Sequence, residues 1–280
     1  MSSSGADTRN SYSSGCTIAL AVLACDAALP ERAQSQALFP VQPEYPPHNV
    51  HIDLTTGAGQ RKACLGTRVQ QSWVLTTAHC FSRVHPTGGA GLVSPGNQPF
   101  EMSRVVLHPL SLGNAAARWD LIFEEDQVVA AHDLALIRAH SPDDAVWIGP
   151  WQPAEAPDNP GLAGASVSLA LSDPKAPLTG QAELLGLVPA AELLGADHPG
   201  ELLAAFGAPV TRGDSGSGVF ADCDAIATPL DDCVGGSSAV LLGVLQDANP
   251  ERASAPFGIV PLWPAEHAAW IRNAASPAPP

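Results

Sequence analysis

Thr-Arg-Gly-Asp-Ser-Gly-Ser-Gly-Val-Phe, residues 211–220, sets one serine, Ser215, between glycines 213 and 216, with Asp214 directly before it. Glycine reaches backbone conformations closed to other residues and lets a second chain or a substrate come close. A serine in such a turn is a candidate nucleophile, and the N–H groups beside it can hold a developing negative charge. Taken alone, the decapeptide also reads as an ordinary Ser/Gly/Asp loop. Partners elsewhere in the chain have to separate the two readings.

A serine hydroxyl is a weak nucleophile at neutral pH. It needs a base within hydrogen-bond reach, and the base needs a third group to fix its tautomer. Among nine histidines, His79 has the most telling setting, Trp73-Val-Leu-Thr-Thr-Ala-His-Cys80, where a strand-like run ends in a turn. For the acid, His132-Asp133-Leu134-Ala135-Leu136-Ile137 puts an aspartate at the mouth of an apolar run. A carboxylate there is costly unless paired, and an imidazolium would pair it. Asp120, ahead of Leu121-Ile122-Phe123, is the rival acid. His108 and His132 adjoin strand-like runs and read as structural. Histidines 48, 51, 85, 140, 198 and 267 read as core or surface residues.

The 280 residues are 45% hydrophobic and 15% charged, a globular composition with room for one or two domains. The net charge of −15 argues against a nucleic-acid partner, whose phosphates need basic patches, and suits a solvated surface. Cys16–Ala24 is an apolar run too short to span a bilayer and long enough for the core of a signal peptide. Val22-Leu23-Ala24-Cys25 resembles a lipobox, with Cys25 the lipidated residue and the anchor to a membrane. Residues 1–24 are therefore expected to be a signal, and the protein to be exported: extracellular, periplasmic or held at the envelope. Residues 25–48, rich in proline, are expected to be an extended linker. Cys64, Cys80, Cys223 and Cys233 remain to pair in an oxidising compartment, in any of three ways. No cysteine or histidine cluster has zinc spacing, so no metal and no cofactor is expected.

From His51 onward, short apolar runs alternate with Gly, Pro, Asn and Asp. Trp73–Thr76, Arg104–Leu107, Leu134–Ile137, Val167–Leu171, Val240–Leu245 and Gly258–Pro261 all have strand length. The fold class is all-β, a barrel or sandwich. Pro264 followed by Ala265–Asn273 predicts a terminal helix. Ala190–Phe206 has partly helical composition broken by Gly195, Pro199 and Gly200. Residues 276–280 read as a disordered tail.

Thr77-Ala78-His79-Cys80, Asp133-Leu134-Ala135-Leu136 and Gly213-Asp214-Ser215-Gly216 resemble the three signature blocks of chymotrypsin-like, trypsin-fold serine proteases, in that family's order. Val105–Pro109, the strand Leu241–Leu245 and the Trp270 helix are similar to further family segments, so the resemblance covers about residues 50–273. It implies two perpendicular six-stranded antiparallel β-barrels, at about 49–150 and 160–262, and a helix at 264–274. It also implies a Cys64–Cys80 disulfide and an active site between the barrels. Ser215 would attack a peptide carbonyl, His79 would move the proton and Asp133 would orient His79. The N–H groups of Gly213 and Ser215 would form the oxyanion hole. The substrate would be a protein or peptide, cut by a monomeric serine endopeptidase. The alternative is a weak or inactive protease-fold protein that binds partners. An α/β-hydrolase esterase wants Gly-x-Ser-x-Gly and its histidine last, and neither holds here.

The chain departs from the family around the specificity pocket. Pro209 stands where trypsin-like enzymes carry a floor aspartate, and Thr211 where a cysteine is usual. Gln246-Asp247-Ala248 replaces a common Ser-Trp-Gly, so Pro209, Gln246 and Asp247 are the expected pocket residues. Gln246 also removes a serine that often supports the triad aspartate. Ser217 stands where glycine is usual and reads as a local substitution. No Ile-Val-Gly-Gly start precedes Cys64 to supply an amine to Asp214, so Arg212 or Arg138 is the expected partner of that acid. Glu124-Glu125-Asp126 reads as a solvated charge run in preference to the alternative, a subsite favouring basic residues. Cys223–Cys233 reads as a disulfide-stapled hairpin rather than a calcium loop.

Overall fold

A computed structural model describes residues 39–40, 49–70, 73–84, 91–93, 99–113, 123–140, 162–172, 178–222, 239–247 and 255–275. The signal and lipobox through Cys25, most of the proline-rich stretch, Asp120, the Cys223–Cys233 hairpin and the tail lie outside these residues.

Among the described residues thirteen strands form two sheets. They are β1 (Phe39–Pro40), β2 (Asn49–Thr55), β3 (Arg61–Gln70), β4 (Trp73–Thr76), β5 (Gly91–Val93), β6 (Pro99–Leu107), β7 (Ala135–His140), β8 (Ser166–Leu171), β9 (Leu178–Pro189), β10 (Glu201–Phe206), β11 (Gly218–Asp222), β12 (Ala239–Asp247) and β13 (Phe257–Pro261). A short helix α1 (Ala190–Leu194) follows β9, and α2 (Ala265–Ala275) closes the described chain. In the first sheet β2-β3-β4-β7-β6-β5 close into a six-stranded barrel. The second has seven strands in the order β1-β9-β10-β13-β12-β11-β8, and β8 pairs again with β9. Six of its strands thus form a ring, and β1 is the extra one. Every strand pair is antiparallel.

Side-chain alternation explains the layers. On β2, Val50, Ile52 and Leu54 point inward with half-buried residues between them, the period-2 pattern of a strand with one wet face. Val74, Val105, Leu107 and Ile137 join them in the first barrel's core. Val167, Leu169, Leu184, Leu203, Val219, Leu242, Phe257 and Ile259 fill the second. Several strands are apolar on both faces because their outer faces meet a third core. There Trp73, Leu75, Leu134 and Leu136 of the first barrel pack with Phe220, Leu241, Val244 and Val260 of the second and with Ile271 of α2. That shared core fixes how the barrels meet, and the site lies along the same junction.

In secondary structure, two segments differ from the sequence expectations. Phe39–Pro40, within the presumed linker, hydrogen-bond to β9 through Phe39↔Thr179 and Pro40↔Leu178. The partly helical 190–206 segment is α1 followed by the buried strand β10; Gly195 takes φ 113° at the helix end, a conformation favouring glycine, and the chain then turns into the strand.

Cys64 on β3 and Cys80 in the turn Ala78–Phe81 form a disulfide across a sequence separation of 16. Closing a loop of that size lowers the entropy of the unfolded chain by about 3 kcal/mol of stability at 25 °C. The double variant C64A/C80A should lose about that amount in urea denaturation; an unchanged midpoint would mean that the bridge contributes little.

Candidate active site

The histidine is delivered by β4, which is buried along its whole length and ends at Thr76. The 3-10 turn Ala78–Phe81 then carries His79. A second 3-10 turn, Ala130–His132, ends on Asp133 just before β7. Asp133 is fully buried. Its carboxylate accepts the His79 main-chain N–H on Oδ1 at 2.8 Å and faces His79 Nδ1 through Oδ2 at 2.6 Å. A buried carboxylate is tolerable when its lone pairs are filled, and a third donor fills another. The Gln246 amide donates to Oδ2 at 3.2 Å.

The route to that third donor is a bulge. The β12–β13 register slips between Leu245 and Asp247, and a bulge re-aims the side chain of its extra residue. Gln246 thereby reaches Asp133 and is buried. The missing serine therefore does not leave the aspartate unsupported. The Gln246 side chain is committed to Asp133. The amide's oxygen, Oε1, has no hydrogen-bond partner among the described residues.

Ser215 lies in the turn between β10 and β11, and that turn is stitched to both barrels. Leu65 N–H of β3 donates to Ser215 O at 2.8 Å, and Gly216 N–H donates to Leu245 O of β12 at 2.8 Å. Leu245 N–H returns a bond to Ser217 O at 2.8 Å. Thr76 Oγ1, three residues ahead of His79, donates to Leu65 O. These bonds place the Ser215 turn against the end of β4 that carries His79. Gly213 and Gly216 have φ of 100° and 89°, both in the region that favours glycine. Ser217 is buried and donates its hydroxyl to Ala170 O at 2.8 Å, which removes it as a competing nucleophile.

Asp214 is buried and accepts three hydrogen bonds. Ser172 N–H donates to Oδ1 at 2.5 Å; Thr211 donates to Oδ2 through N–H at 2.6 Å and Oγ1 at 3.0 Å. Neither arginine is among these donors, because Arg212 and Arg138 point into solvent. The expected ion pair is replaced by backbone amides and a hydroxyl, and Thr211, at the usual cysteine position, supplies two of the three. Pro209 is half-buried ahead of this turn, and Asp247 ends β12 opposite Gly258.

Sequence reading missed Lys62, which holds the histidine turn from outside. Its Nζ donates to His79 O and Ser82 Oγ, both at 2.7 Å, and to Glu125 Oε1 at 2.6 Å. Burial pushes the Glu125 carboxyl up, but the Lys62 hydrogen bond and the charges of Lys62, His79 and Arg83 outweigh it and hold it below its ordinary value. Glu124 pairs with Arg83. The acidic run is thus exposed but ion-paired across the histidine turn. The adjacent charges of Arg61-Lys62 mark only a solvated strand end, so nothing local announced this role.

His108 and His132 join His267 of α2 and Trp270 behind Asp133. Ring centroids in this group lie 5.0–5.3 Å apart. Burial, with the neighbouring His267 and His132, pushes His108 down to about 3. Burial also lowers His267, against the Pro261 carbonyl and Glu266, which raise it.

Two predictions follow from these contacts. A Cβ on Gly216 would lie 2.0 Å from Leu65 O and 2.2 Å from Thr76 Oγ1. G216A should lose on the order of 3 kcal/mol in chemical denaturation, and wild-type stability would refute that close contact. His108 stays neutral in the fold but charges in the unfolded chain near pH 6.5, so the unfolded state gains protons as pH falls. Stability should therefore fall from pH 6.5 toward pH 3, by at most about 1.4 kcal/mol per pH unit per such group. H108Q, which keeps an acceptor for Leu110 N–H, should show a shallower slope of Tm against pH; an unchanged slope would remove His108 as a cause.

The Trypsin family model matches residues 38–240. No curated protein matches the sequence. Among solved structures, the active form of the Rv3671c protease from M. tuberculosis is 18% identical, with 84% of this chain and 83% of that chain covered at a TM-score of 0.53. HL collagenase is 14% identical, with 85% and 96% covered at a TM-score of 0.58. At such identities the two share the fold with this chain. With the family match spanning most of the sequence and both barrels in place, the chain belongs to the trypsin family of chymotrypsin-like protease folds.

Proposed function

We propose that the protein is a serine endopeptidase. The observation that carries this is the 2.6 Å contact of His79 Nδ1 with the buried Asp133 carboxylate, beside the Ser215 turn. A Nδ1–H bonded to a carboxylate leaves Nε2 as the basic nitrogen. In this reading Nε2 takes the Ser215 proton as Oγ attacks a peptide carbonyl, and later gives it to the leaving amine. Asp133 holds the tautomer and offsets the imidazolium charge. The N–H groups of Gly213 and Ser215 receive the oxyanion; removing one such donor typically costs about 100–1,000-fold in rate. Asp214, held by donors from its own chain, supports that turn without a freed N-terminal amine. The Cys64–Cys80 bridge and the Cys16–Ala24 run favour export, with Cys25 as a lipid attachment point. Pro209 on the pocket floor favours uncharged residues before the cleaved bond, and we read the enzyme as a monomer acting on proteins or peptides.

A fluorophosphonate probe tests this. The mature protein should label at Ser215, and S215A should not. D133N should slow labelling by about 10⁴-fold. Q246A, which removes one hydrogen bond to a charged group, should slow it by about tenfold. If the wild type fails to label while a known serine protease labels alongside, the enzyme reading fails and a partner-binding role takes its place. Preferential cleavage after Lys or Arg in a peptide library would overturn the reading of the pocket floor.

A further inference from the structure

His108, His132 and His267 come from three separate segments: the residue after β6, the end of the turn before Asp133, and the first turn of α2. His108 and His267 are buried, at 3% and 2% exposure. Three imidazoles turned on one another are an expensive way to fill space, since each carries polar atoms that burial must satisfy. From the three segments and their shared focus we infer a zinc-class metal site formed by His108, His132 and His267, with Glu266 as the fourth ligand.

The dimensions agree with one ion. Zinc binds a ring nitrogen at about 2.0–2.1 Å in a tetrahedral array, which puts ligand rings roughly 5.2 Å apart, centroid to centroid. The observed separations are 5.3 Å for His108–His132, 5.0 Å for His108–His267 and 5.2 Å for His132–His267. One nitrogen from each ring lies within 4.8 Å of the others; with no ion between them His132 Nδ1 donates to His267 Nε2 at 2.9 Å, a hydrogen bond that an ion would replace as the two nitrogens part to roughly 3.3 Å. Glu266 Oε1 lies 3.7 Å and 3.9 Å from those same two nitrogens, near the roughly 3.3 Å edge of a tetrahedral shell. The planes of His108 and His132 differ by 9°, so aiming both at one ion takes ring rotations.

At His267 the protonation pattern suits an ion; at His108, Nδ1 accepts the Leu110 N–H at 3.3 Å, a bond that an ion on either ring nitrogen would displace. His267 Nδ1 faces Pro261 O at 2.7 Å. Donation to that carbonyl puts the proton on Nδ1 and leaves the Nε2 lone pair facing the cluster, the outer-shell arrangement common for metal-bound histidine. Neutral imidazoles with one carboxylate suit Zn²⁺, and Cu²⁺, Ni²⁺ or Co²⁺ among its rivals. Since His132 directly precedes Asp133, the ion would clamp the aspartate turn to α2. The site stands whether or not Ser215 is a nucleophile.

The test uses the full chain, chelator-treated and with free thiols alkylated, titrated with Zn²⁺ alone. One ion per chain is expected, with Tm rising about 5–10 °C when Zn²⁺ exceeds Kd by 100-fold. H132N, at the rim, should fold and bind about 100-fold more weakly. Co²⁺ should give the visible bands of a tetrahedral site in the wild type and lose them in H132N, a readout independent of stability. No Tm rise with Zn²⁺, or a rise and a Co²⁺ spectrum equal in wild type and H132N, would overturn the site.

Discussion

Everything in the candidate site depends on a carbonyl oxygen, that of Leu65, occupying the space a side chain on residue 216 would need. Because Gly216 has none, the serine turn lies directly on β3 of the first barrel while its own N–H bonds to β12 of the second. Thr76 Oγ1 closes the arrangement from the histidine side. Backbone hydrogen bonds are directional and short, so a turn held this way has little freedom to tilt. The apolar core shared by the barrels holds them together, but it is non-directional. Register between serine and histidine comes from the polar stitching around one glycine.

Two buried aspartates are handled by different means. Asp133 collects a main-chain N–H, an imidazole and an amide, the last supplied by a bulge in β12. Asp214 collects two main-chain N–H groups and a hydroxyl. Neither relies on a long flexible cation, so little side-chain entropy is lost in holding them. β12 serves both barrels at adjacent residues: the main chain of Leu245 fixes the serine turn and the side chain of Gln246 fixes the acid under the histidine. Replacing a small residue with glutamine at 246 works because the bulge moves its Cα, which the sequence does not display.

The central residues of the candidate site were legible because each carries a local signature. His79 ends an apolar run, Asp133 begins one, and Ser215 sits among glycines. Strands rich in bulky residues, such as β4 and β12, were legible for the same reason. β9 was not. Its buried positions 180, 182 and 184 alternate with exposed 181, 183 and 185, but two of those three are Gly180 and Ala182, too small to mark a period. Partnerships across long separations were least visible. Lys62 meeting Glu125, or three histidines from positions 108, 132 and 267 meeting behind Asp133, arise from topology, and no window of sequence contains them.

β1 has a consequence for the order in which the molecule assembles. Phe39–Pro40 precede the whole first barrel, yet they pair with Leu178 and Thr179 of the second. A chain emerging from the N-terminus has all six strands of the first barrel once His140 has appeared. Its leading pair of residues must then wait, unpaired, for β9. Contacts so distant along the chain are slow to form because a long loop must close first, and domains tend to fold as units in the order they are made. The earliest of the described strands is therefore among the last to dock, and it fastens the completed second barrel to the segment that leads into the first.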